Sequence, residues 1–254
     1  MKRHSHITLL ALLGALFLLV PPAYAQLRKT KARSKPPAAA TTASIGLSPR
    51  DIARVAFPST VSVYAVTEDD EVFAGAGFVV RPGVVATCYH VVEGAEAIAI
   101  SALSGDRNKL VRARLISRDK VRDLALLSVP GLKLPALHIS DAEDFYVGEA
   151  AYTIGNPKGL EGTFSTGVLS NFHKLDDGTY LIQFTASASP GSSGGPLLSD
   201  KGEVIGIVSS QFSGGQNLNF AVLAAHLRML LEGRTDEPDG YMDNNLEPPK
   251  KPGV

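Results

Sequence analysis

The sequence has no tryptophan and only one cysteine, Cys88, among its 254 residues. A single cysteine excludes an intramolecular disulfide framework and any metal site built from several thiolates. The formal net charge is zero, so no overall excess of charge indicates nucleic acid or an acidic surface as a partner. Hydrophobic residues, in contrast, make up 44% of the chain, which is enough to bury a core.

The first 25 residues have the composition of a secretory signal peptide. A basic start precedes an apolar run over 7–20, and Ala23 and Ala25 supply the small residues that a signal peptidase reads. Cleavage is therefore expected after Ala25. The alternative is a retained membrane anchor, which is disfavoured because the run is shorter than the roughly 20 residues of a span. In either case the rest of the chain is expected to be exported, to the periplasm or beyond.

Two polar segments flank the central part of the chain. Residues 26–44 are rich in Lys, Arg, Pro and Ala and are expected to form a disordered basic arm. A solvated linker is favoured over an arm that contacts anionic lipid or peptidoglycan. Residues 232–254 form a second polar tail, which is also expected to be disordered. One folded domain is therefore expected over 45–231.

The pattern within this domain predicts an all-β fold with one helix at each end. Ser48 before Pro49 predicts a helix start, and apolar positions three and four apart predict a closing helix over 221–231. Between them, short apolar or alternating segments separated by turn residues are typical of a β-barrel or sandwich. The predicted strands include 61–66, 73–80, 96–101, 111–117, 124–129, 150–155, 162–170, 180–186, 204–211 and 218–223.

The hexapeptide GSSGGP at 191–196 has the composition of a turn that presents a nucleophilic serine. Such a serine needs a protruding hydroxyl and nearby N–H groups aimed at the developing oxyanion, and glycines permit a backbone in which N–H groups converge. The two glycines that follow Ser193 favour this residue over Ser192. An ordinary glycine–serine turn before a strand is the alternative, and the hexapeptide alone leaves it open.

A catalytic serine also needs a general base, and His90 is the candidate. It follows an apolar strand, and a strand end is a rigid place to fix an imidazole ring. If His90 is considered without the other candidate residues, a structural role is favoured for it. The remaining histidines of the exported chain, His138, His173 and His226, are expected on the surface.

Asp123 is the candidate for the carboxylate that orients the histidine. It directly precedes the apolar strand 124–129, where by itself a solvated charge at a strand start would be favoured. The order His90, Asp123, Ser193 changes this interpretation, because it is one of the orders in which a Ser-His-Asp triad occurs along a chain. The three residues together therefore predict a triad.

The chain from about 48 to 231 resembles the protease domain of the HtrA (DegP-like) family, a branch of the chymotrypsin-like serine proteases. Six motifs carry the resemblance in the family's order over nearly the whole domain. They are GAGF (75–78), TCYHVV (87–92), RDLALL (122–127), IGNPKGL (154–160) with STGVLS (165–170), PGSSGGPLL (190–198) and LNFAV (218–222).

The resemblance implies two six-stranded antiparallel β-barrels packed face to face, with the triad in the cleft between them. His90 and Asp123 would come from the first barrel and Ser193 from the second. The implied activity is that of a serine endopeptidase that hydrolyses polypeptides through an acyl-enzyme, without metal or organic cofactor. The backbone around Gly191, Ser192 and Ser193 would form the oxyanion hole. A homotrimer and a role in envelope protein quality control are also implied.

A second set of residues is expected to contact the substrate. Ala188 stands where the family often has a larger aliphatic residue in the specificity pocket. The strand end is expected to offer an edge for β-pairing with the substrate. No Asp lies in the pocket segment, so a small or medium apolar residue is expected before the scissile bond, rather than Lys or Arg. The other predicted contact residues are Ser209, Ser210 and Gln211 of this strand end, together with Asn219 and Phe220.

The chain departs from the family pattern at several places. Ser192 stands where the family usually has Asn, and Cys88-Tyr89 replaces the two Asn residues before the histidine. With no partner, Cys88 is expected to be a small buried apolar residue. TEDDE (67–71) leaves no room for a long regulatory loop, and the residues after 231 are too few for a PDZ domain. Activation through a PDZ domain is therefore not expected.

Two further hypotheses compete with the peptidase. One is a catalytically silent protease fold that serves as a binding or holdase module. The intact triad argues against it, because a module without chemistry has no need of all three side chains. The other is a purely structural β-domain, which would leave the triad and the glycine turn to coincidence.

Overall fold

The computed structural model describes residues 46–104, 106, 108–142, 145–155, 162–210 and 218–234. The predicted signal peptide and basic arm, Gln211 and most of the predicted tail lie outside the described residues. In the described part of the chain, no helix has both the length and the apolar character needed to cross a membrane.

Twelve strands and two α-helices account for the regular structure of the described residues. The first helix is α1 (Pro49–Ala56) and the second is α2 (Ala224–Leu231), and short 3-10 turns cover Phe57–Ser59 and Tyr89–Val91. The strands are β1 (Thr60–Thr67), β2 (Val72–Arg81), β3 (Val84–Thr87), β4 (Ala95–Ala102), β5 (Val111–Asp119), β6 (Leu124–Ser128), β7 (Ala150–Gly155), β8 (Thr163–Lys174), β9 (Tyr180–Phe184), β10 (Pro196–Leu198), β11 (Val204–Ser209) and β12 (Asn219–Leu223).

The strands close into two six-stranded antiparallel barrels. The first has the order β1-β2-β3-β6-β5-β4 and the second the order β10-β11-β12-β9-β8-β7. Closure removes the free strand edges that would otherwise invite pairing with other chains. The predicted all-β fold of two six-stranded barrels is confirmed.

Each barrel forms around the fully buried apolar side chains of its strands. Phe78, Ile100 and Leu127 are wholly buried in the first barrel, as are Ile182 and Phe184 in the second. Burial of one such side chain contributes about 1.5–3 kcal/mol relative to exposure. β-branched and aromatic residues favour strands because they pack well on a pleated surface, which accounts for the apolar runs of β1 and β11.

The two helices begin as their local sequences allow. The Ser48 hydroxyl accepts a hydrogen bond from Asp51 N at 3.2 Å and caps α1, as the Ser-Pro pair predicts. The predicted start of the closing helix at Ala221 is wrong, because Ala221 and its neighbour pair with β11 as part of β12. Residues 221–223 therefore form part of a strand that closes the second barrel, although their apolar spacing also fits a helix.

His226 on α2 is buried rather than on the surface as predicted. Only 6% of it is exposed, and its Nε2 accepts a hydrogen bond from Tyr180 N at 2.9 Å. The Tyr180 ring stacks on the imidazole with ring centroids 5.9 Å apart. The histidine therefore ties α2 to the start of β9.

The loop that carries Ser193 (191–195, called the serine loop below) belongs to the second barrel and is hydrogen-bonded to the first barrel through backbone groups. Ala76 N of β2, in the first barrel, donates to Ser193 O at 2.8 Å, and within the second barrel Gly194 N donates to Val208 O of β11 at 2.8 Å. The Thr87 hydroxyl of β3 donates to Ala76 O at 2.7 Å and so fixes the strand that donates to the serine loop. This seam brings the ends of β3 and β11 to the serine loop.

Gly194→Ala is expected to lower the free energy of unfolding by at least about 2 kcal/mol, because the site combines strain with overpacking. Gly194 has φ +87°, and a Cβ there would lie 2.2 Å from Ala76 O and 2.3 Å from Thr87 Oγ1. Gly178→Ala is the matched control, since Gly178 has φ +83° and nothing within 4 Å of its Cβ position. Urea unfolding of both variants measures the difference, and an equal loss in the two would contradict the steric argument.

Candidate active site

His90 and Asp123 form a directly hydrogen-bonded pair. The Nδ1 of His90 lies 2.7 Å from Oδ2 of Asp123, and the backbone N of His90 donates to Oδ1 of the same carboxylate at 2.9 Å. His90 lies in the 3-10 turn Tyr89–Val91 that follows β3. The His90 side chain is 32% exposed and that of Asp123 only 1%, so the imidazole separates the carboxylate from solvent.

The turn before β6 places the Asp123 carboxylate. Asp123 has φ +56°, in the left-handed region that few non-glycine residues adopt. Arg122, just before it, donates from Nη1 to Oδ2 of Asp119 at 2.8 Å and from its backbone N to Oδ1 of the same residue at 3.0 Å. Both Arg122 and Asp119 are buried, so this ion pair closes the turn that sets the backbone of Asp123.

Ser209 completes the contacts of the carboxylate. Its hydroxyl donates to Oδ2 of Asp123 at 2.7 Å, although the two residues lie on different barrels. Ser209 is 1% exposed. The sequence predicts a substrate contact for Ser209. In the structure its hydroxyl contacts the Asp123 carboxylate, and the residue also lines a cavity beside Ser193.

The environment of Asp123 favours its ionised form. Burial by itself raises the pKa of the carboxyl, but the hydrogen bond and charge of His90, together with the Ser209 hydroxyl, lower it below the ordinary value for Asp. An ionised Asp123 can stabilise a protonated imidazole and hold its Nδ1–H in place. The pair is thus arranged for a histidine that accepts a proton at Nε2.

This lowered pKa predicts a pH dependence of stability. A carboxyl with a depressed folded pKa stabilises the fold above its unfolded pKa, and the contribution is lost as the pH falls through the folded pKa. We expect the difference in unfolding free energy between the wild type and Asp123→Asn to persist from pH 7 to about 4 and to shrink as the pH falls further through the folded pKa. Urea titrations at several pH values measure it, and a difference that stays constant below about pH 4 would contradict the prediction.

The Ser193 hydroxyl lies in the cleft next to Ser210. Ser193 Oγ is 2.7 Å from Ser210 Oγ and accepts a hydrogen bond from Ser210 N at 3.2 Å. Among the described residues, Ser193 Oγ forms no hydrogen bond with His90. The structure thus pairs two of the three predicted triad side chains, and the third is held by a neighbour on the segment after β11.

The predicted oxyanion loop has Gly191 and Ser193 as its N–H donors, with Ser192 between them. Ser192 N donates to Ser189 O at 2.8 Å, so this N–H is engaged within the loop. Within the described residues, the N–H groups of Gly191 and Ser193 donate to no other group. Gly191 has φ +97°, a conformation that only glycine adopts readily and that allows this alternation.

A cavity of about 380 Å³ opens beside Ser193. None of the described residues that line it has a charged side chain, and their polar side-chain groups are hydroxyls and one amide. The amide Nδ2 of Asn219 donates to Ala186 O at 3.0 Å, and the Phe220 ring packs edge-on against His173 with centroids 5.6 Å apart. The lining residues are Ala188, Ser189, Pro190, Ser193, Val208, Ser209, Ser210, Leu218, Asn219 and Phe220.

Cys88 is buried, as predicted, and its Sγ lies 3.2 Å from Val208 O. Burial and the nearby Asp123 carboxylate raise the pKa of the thiol. Ligand atoms of Cys88, His90 and Asp123 lie within 4.8 Å of one another. The 2.7 Å between His90 and Asp123 is a hydrogen-bond distance, shorter than the roughly 3.3 Å between ligands of a tetrahedral zinc. The group therefore fits a hydrogen-bonded dyad better than a shared metal.

Two closed antiparallel barrels, with a His-Asp pair on one and a serine in a glycine turn on the other, define the architecture of a chymotrypsin-like serine peptidase. The family model described as the trypsin-like peptidase domain matches residues 75–207, which is over half of the chain. The chain therefore belongs to the trypsin-like peptidase domain family.

Within this family, the individual proteins that the chain is similar to include HtrA-type proteases, which confirms the resemblance seen in the sequence. A probable periplasmic DegP-like serine endoprotease of Halomonas elongata is 39% identical over 155 residues, covering 58% of this chain and 32% of that relative. The chain thus corresponds to about a third of the length of this curated relative.

Solved structures show the same likeness. The serine endoprotease from Yersinia pestis has a TM-score of 0.64 and 28% identity, covering 73% of this chain and 66% of that one. The HtrA-type protease AlgW with tripeptide has a TM-score of 0.65 and 26% identity, covering 74% and 65%.

Proposed function

We propose that this protein is an exported serine endopeptidase that hydrolyses polypeptides through Ser193, His90 and Asp123. The observation that carries the proposal is the 2.7 Å pair between His90 and a buried carboxylate, in the same cleft as a serine within a glycine turn. The HtrA-type relatives support the same reaction class.

The proposed reaction is acyl transfer. Ser193 Oγ attacks the carbonyl carbon of the scissile bond while His90 Nε2 takes the hydroxyl proton, and Asp123 stabilises the imidazolium. The N–H groups of Gly191 and Ser193 stabilise the oxyanion of the tetrahedral intermediate. His90 then protonates the leaving amine, and a water molecule that it activates hydrolyses the acyl-enzyme and restores Ser193.

The pocket supports a preference for an apolar side chain before the scissile bond. Since none of the described lining residues is charged, a buried Lys or Arg would lose its hydration without a charged partner among them. We expect peptides with Ala or Val at this position to be cleaved at least about tenfold faster than the same peptides with Lys. Mass spectrometry of cleaved peptide mixtures measures the preference, and faster cleavage after Lys would contradict it.

The location, flanking segments and assembly of the protein are also part of this proposal. The signal peptide (1–25), the basic arm (26–44) and the polar tail (232–254) are proposed to flank the protease domain (45–231) of a periplasmic or secreted protein. The periplasmic names of the relatives support this location. A homotrimer and a role in envelope protein quality control are proposed from the HtrA resemblance.

The alternative is a catalytically silent protease fold that binds polypeptides. The contact of Ser193 with Ser210 rather than His90 is the observation that favours it. Activity-based labelling separates the two hypotheses, because a fluorophosphonate reacts with an activated serine and not with an ordinary hydroxyl.

The test uses the full-length protein, a fluorophosphonate probe and mass spectrometry to locate the label. We expect the label on Ser193, and we expect its rate of formation to fall at least about a hundredfold in His90→Ala, since a general base contributes roughly 10²–10⁴-fold. A label on Ser192 would reassign the nucleophile. Absence of labelling, with polypeptide binding retained, would favour the silent module.

A further inference from the structure

We propose that Ser210 is a positioning residue that holds the Ser193 hydroxyl in the unliganded protein and releases it when a peptide binds. This inference rests on the proposed function, because it concerns the reactivity of Ser193 as a nucleophile. It gives Ser210 a second role in addition to the substrate-pairing role expected from the sequence.

Two hydrogen bonds join Ser210 to the nucleophile. The hydroxyl oxygens lie 2.7 Å apart, and Ser210 N donates to Ser193 Oγ at 3.2 Å. Ser193 is only 3% exposed, so solvent has little access to compete for these bonds. The contact therefore fixes the Ser193 side chain in the resting protein.

This contact engages the groups that the reaction needs. For attack, the Ser193 proton must point to His90 Nε2 and a lone pair must point to the carbonyl carbon. The N–H of Ser210 occupies one lone pair, and the hydroxyl bond takes either the proton or a second lone pair. The resting contact therefore competes with proton transfer to His90 and with attack on the substrate.

Backbone hydrogen bonds between the serine loop and β11 explain why Ser210 contacts Ser193. Gly194 N donates to Val208 O at 2.8 Å, and Val208 N donates to Gly195 O at 2.9 Å. These paired bonds bring the end of β11 next to the loop, so the residue after β11 lies opposite the nucleophile. Ser209 and Ser210 then contact opposite ends of the triad, because Ser209 donates to Asp123.

Peptide binding would remove the contact. Ser210 lines the cavity beside Ser193, and an extended peptide that pairs with the backbone of Ser210 would compete for its N–H. The bond to Ser193 Oγ would then be exchanged for a bond to the peptide backbone. In this arrangement the nucleophile is freed at the moment a substrate occupies the cleft.

The test measures the second-order rate constant for labelling by a small fluorophosphonate, which does not pair with the strand end. Ser210→Ala and Ser210→Val are expected to label about fivefold faster than the wild type, since one net hydrogen bond corresponds to about this factor in rate. Ser210→Thr, which has the shape of valine but keeps the hydroxyl, is expected to label at the wild-type rate. Ser199→Ala, in the turn after β10, is the control for loss of a serine hydroxyl elsewhere.

The outcomes separate this inference from the proposed function. Unchanged or slower labelling of Ser210→Ala and Ser210→Val, with the wild type labelled on Ser193, overturns only the role of Ser210. Equal acceleration in Ser210→Thr and Ser210→Val also overturns it, because side-chain size rather than the hydroxyl would then be responsible. Absence of labelling in every variant overturns both the nucleophile assignment and this inference.

Discussion

Ser193→Ala is expected to lower peptide hydrolysis by about 10⁶-fold, the loss typical of removing the nucleophile of a serine protease triad. The substitution deletes the oxygen that forms the acyl-enzyme and leaves the His90–Asp123 pair without a proton donor. The barrels should be unaffected, because the Ser193 backbone carbonyl that accepts from Ala76 N is retained. Residual hydrolysis would come only from binding and from the oxyanion donors.

The measurement is the initial rate of cleavage of a fluorogenic peptide by matched preparations of wild type and Ser193→Ala. Ser199→Ala is expected to keep the wild-type rate, because its hydroxyl accepts a bond from Lys201 N in the turn after β10, outside the cleft. A Ser193→Ala rate above about one hundredth of the wild type would show that another group is the nucleophile. Ser192→Ala would then be compared in the same assay.

The individual strands could be predicted because their pattern is local, whereas their closure into two six-stranded barrels was implied only by the HtrA resemblance. The strands of the first barrel follow one another through tight turns, as when β1 pairs with β2 from Thr60↔Phe78 to Val66↔Val72. The alternation of apolar residues and the turn residues between them are visible within ten to twelve positions of the chain. The exception was the stretch 221–223, where helical spacing and strand pairing were both compatible with the residues.

The three candidate residues could be selected from the sequence because His90, Asp123 and Ser193 each lie within a motif and in a characteristic order. The geometry confirms the His90–Asp123 contact. The role of the Ser209 hydroxyl could not be predicted, because it depends on a contact across 86 positions of sequence and between the two barrels. Nothing in the residues around Ser209 distinguishes a serine that faces a carboxylate from one that faces a substrate.

The orientation of the backbone N–H groups in the serine loop could not be predicted from the sequence either. Whether the N–H of Ser192 points into the cleft or back to Ser189 depends on the left-handed conformation of Gly191. A glycine permits this conformation without requiring it. The same limit applies to His226, whose burial results from packing of α2 against Tyr180.

Asp123→Asn is expected to lower kcat by about 10⁴-fold while leaving the barrels folded, as is typical when the triad carboxylate becomes an amide. The amide is close in size to the carboxylate, but it carries no charge to stabilise the imidazolium. Its NH₂ group, if it faced His90, would also hold the tautomer with the proton on Nε2, which cannot accept from Ser193. The loss should therefore appear in kcat more than in KM.

Ser209→Ala provides the graded comparison for this prediction. It removes one hydrogen bond to the same carboxylate but leaves both bonds from His90, so a loss of about ten- to a hundredfold is expected, as for one bond to a charged group. Steady-state kinetics on one peptide substrate, with thermal unfolding to check folding, measures both variants. Equal losses in Ser209→Ala and Asp123→Asn would mean that Ser209, rather than the charge of Asp123, controls the histidine. A loss below about tenfold in Asp123→Asn would remove Asp123 from the catalytic group, since the pairing with His90 would then be structural only.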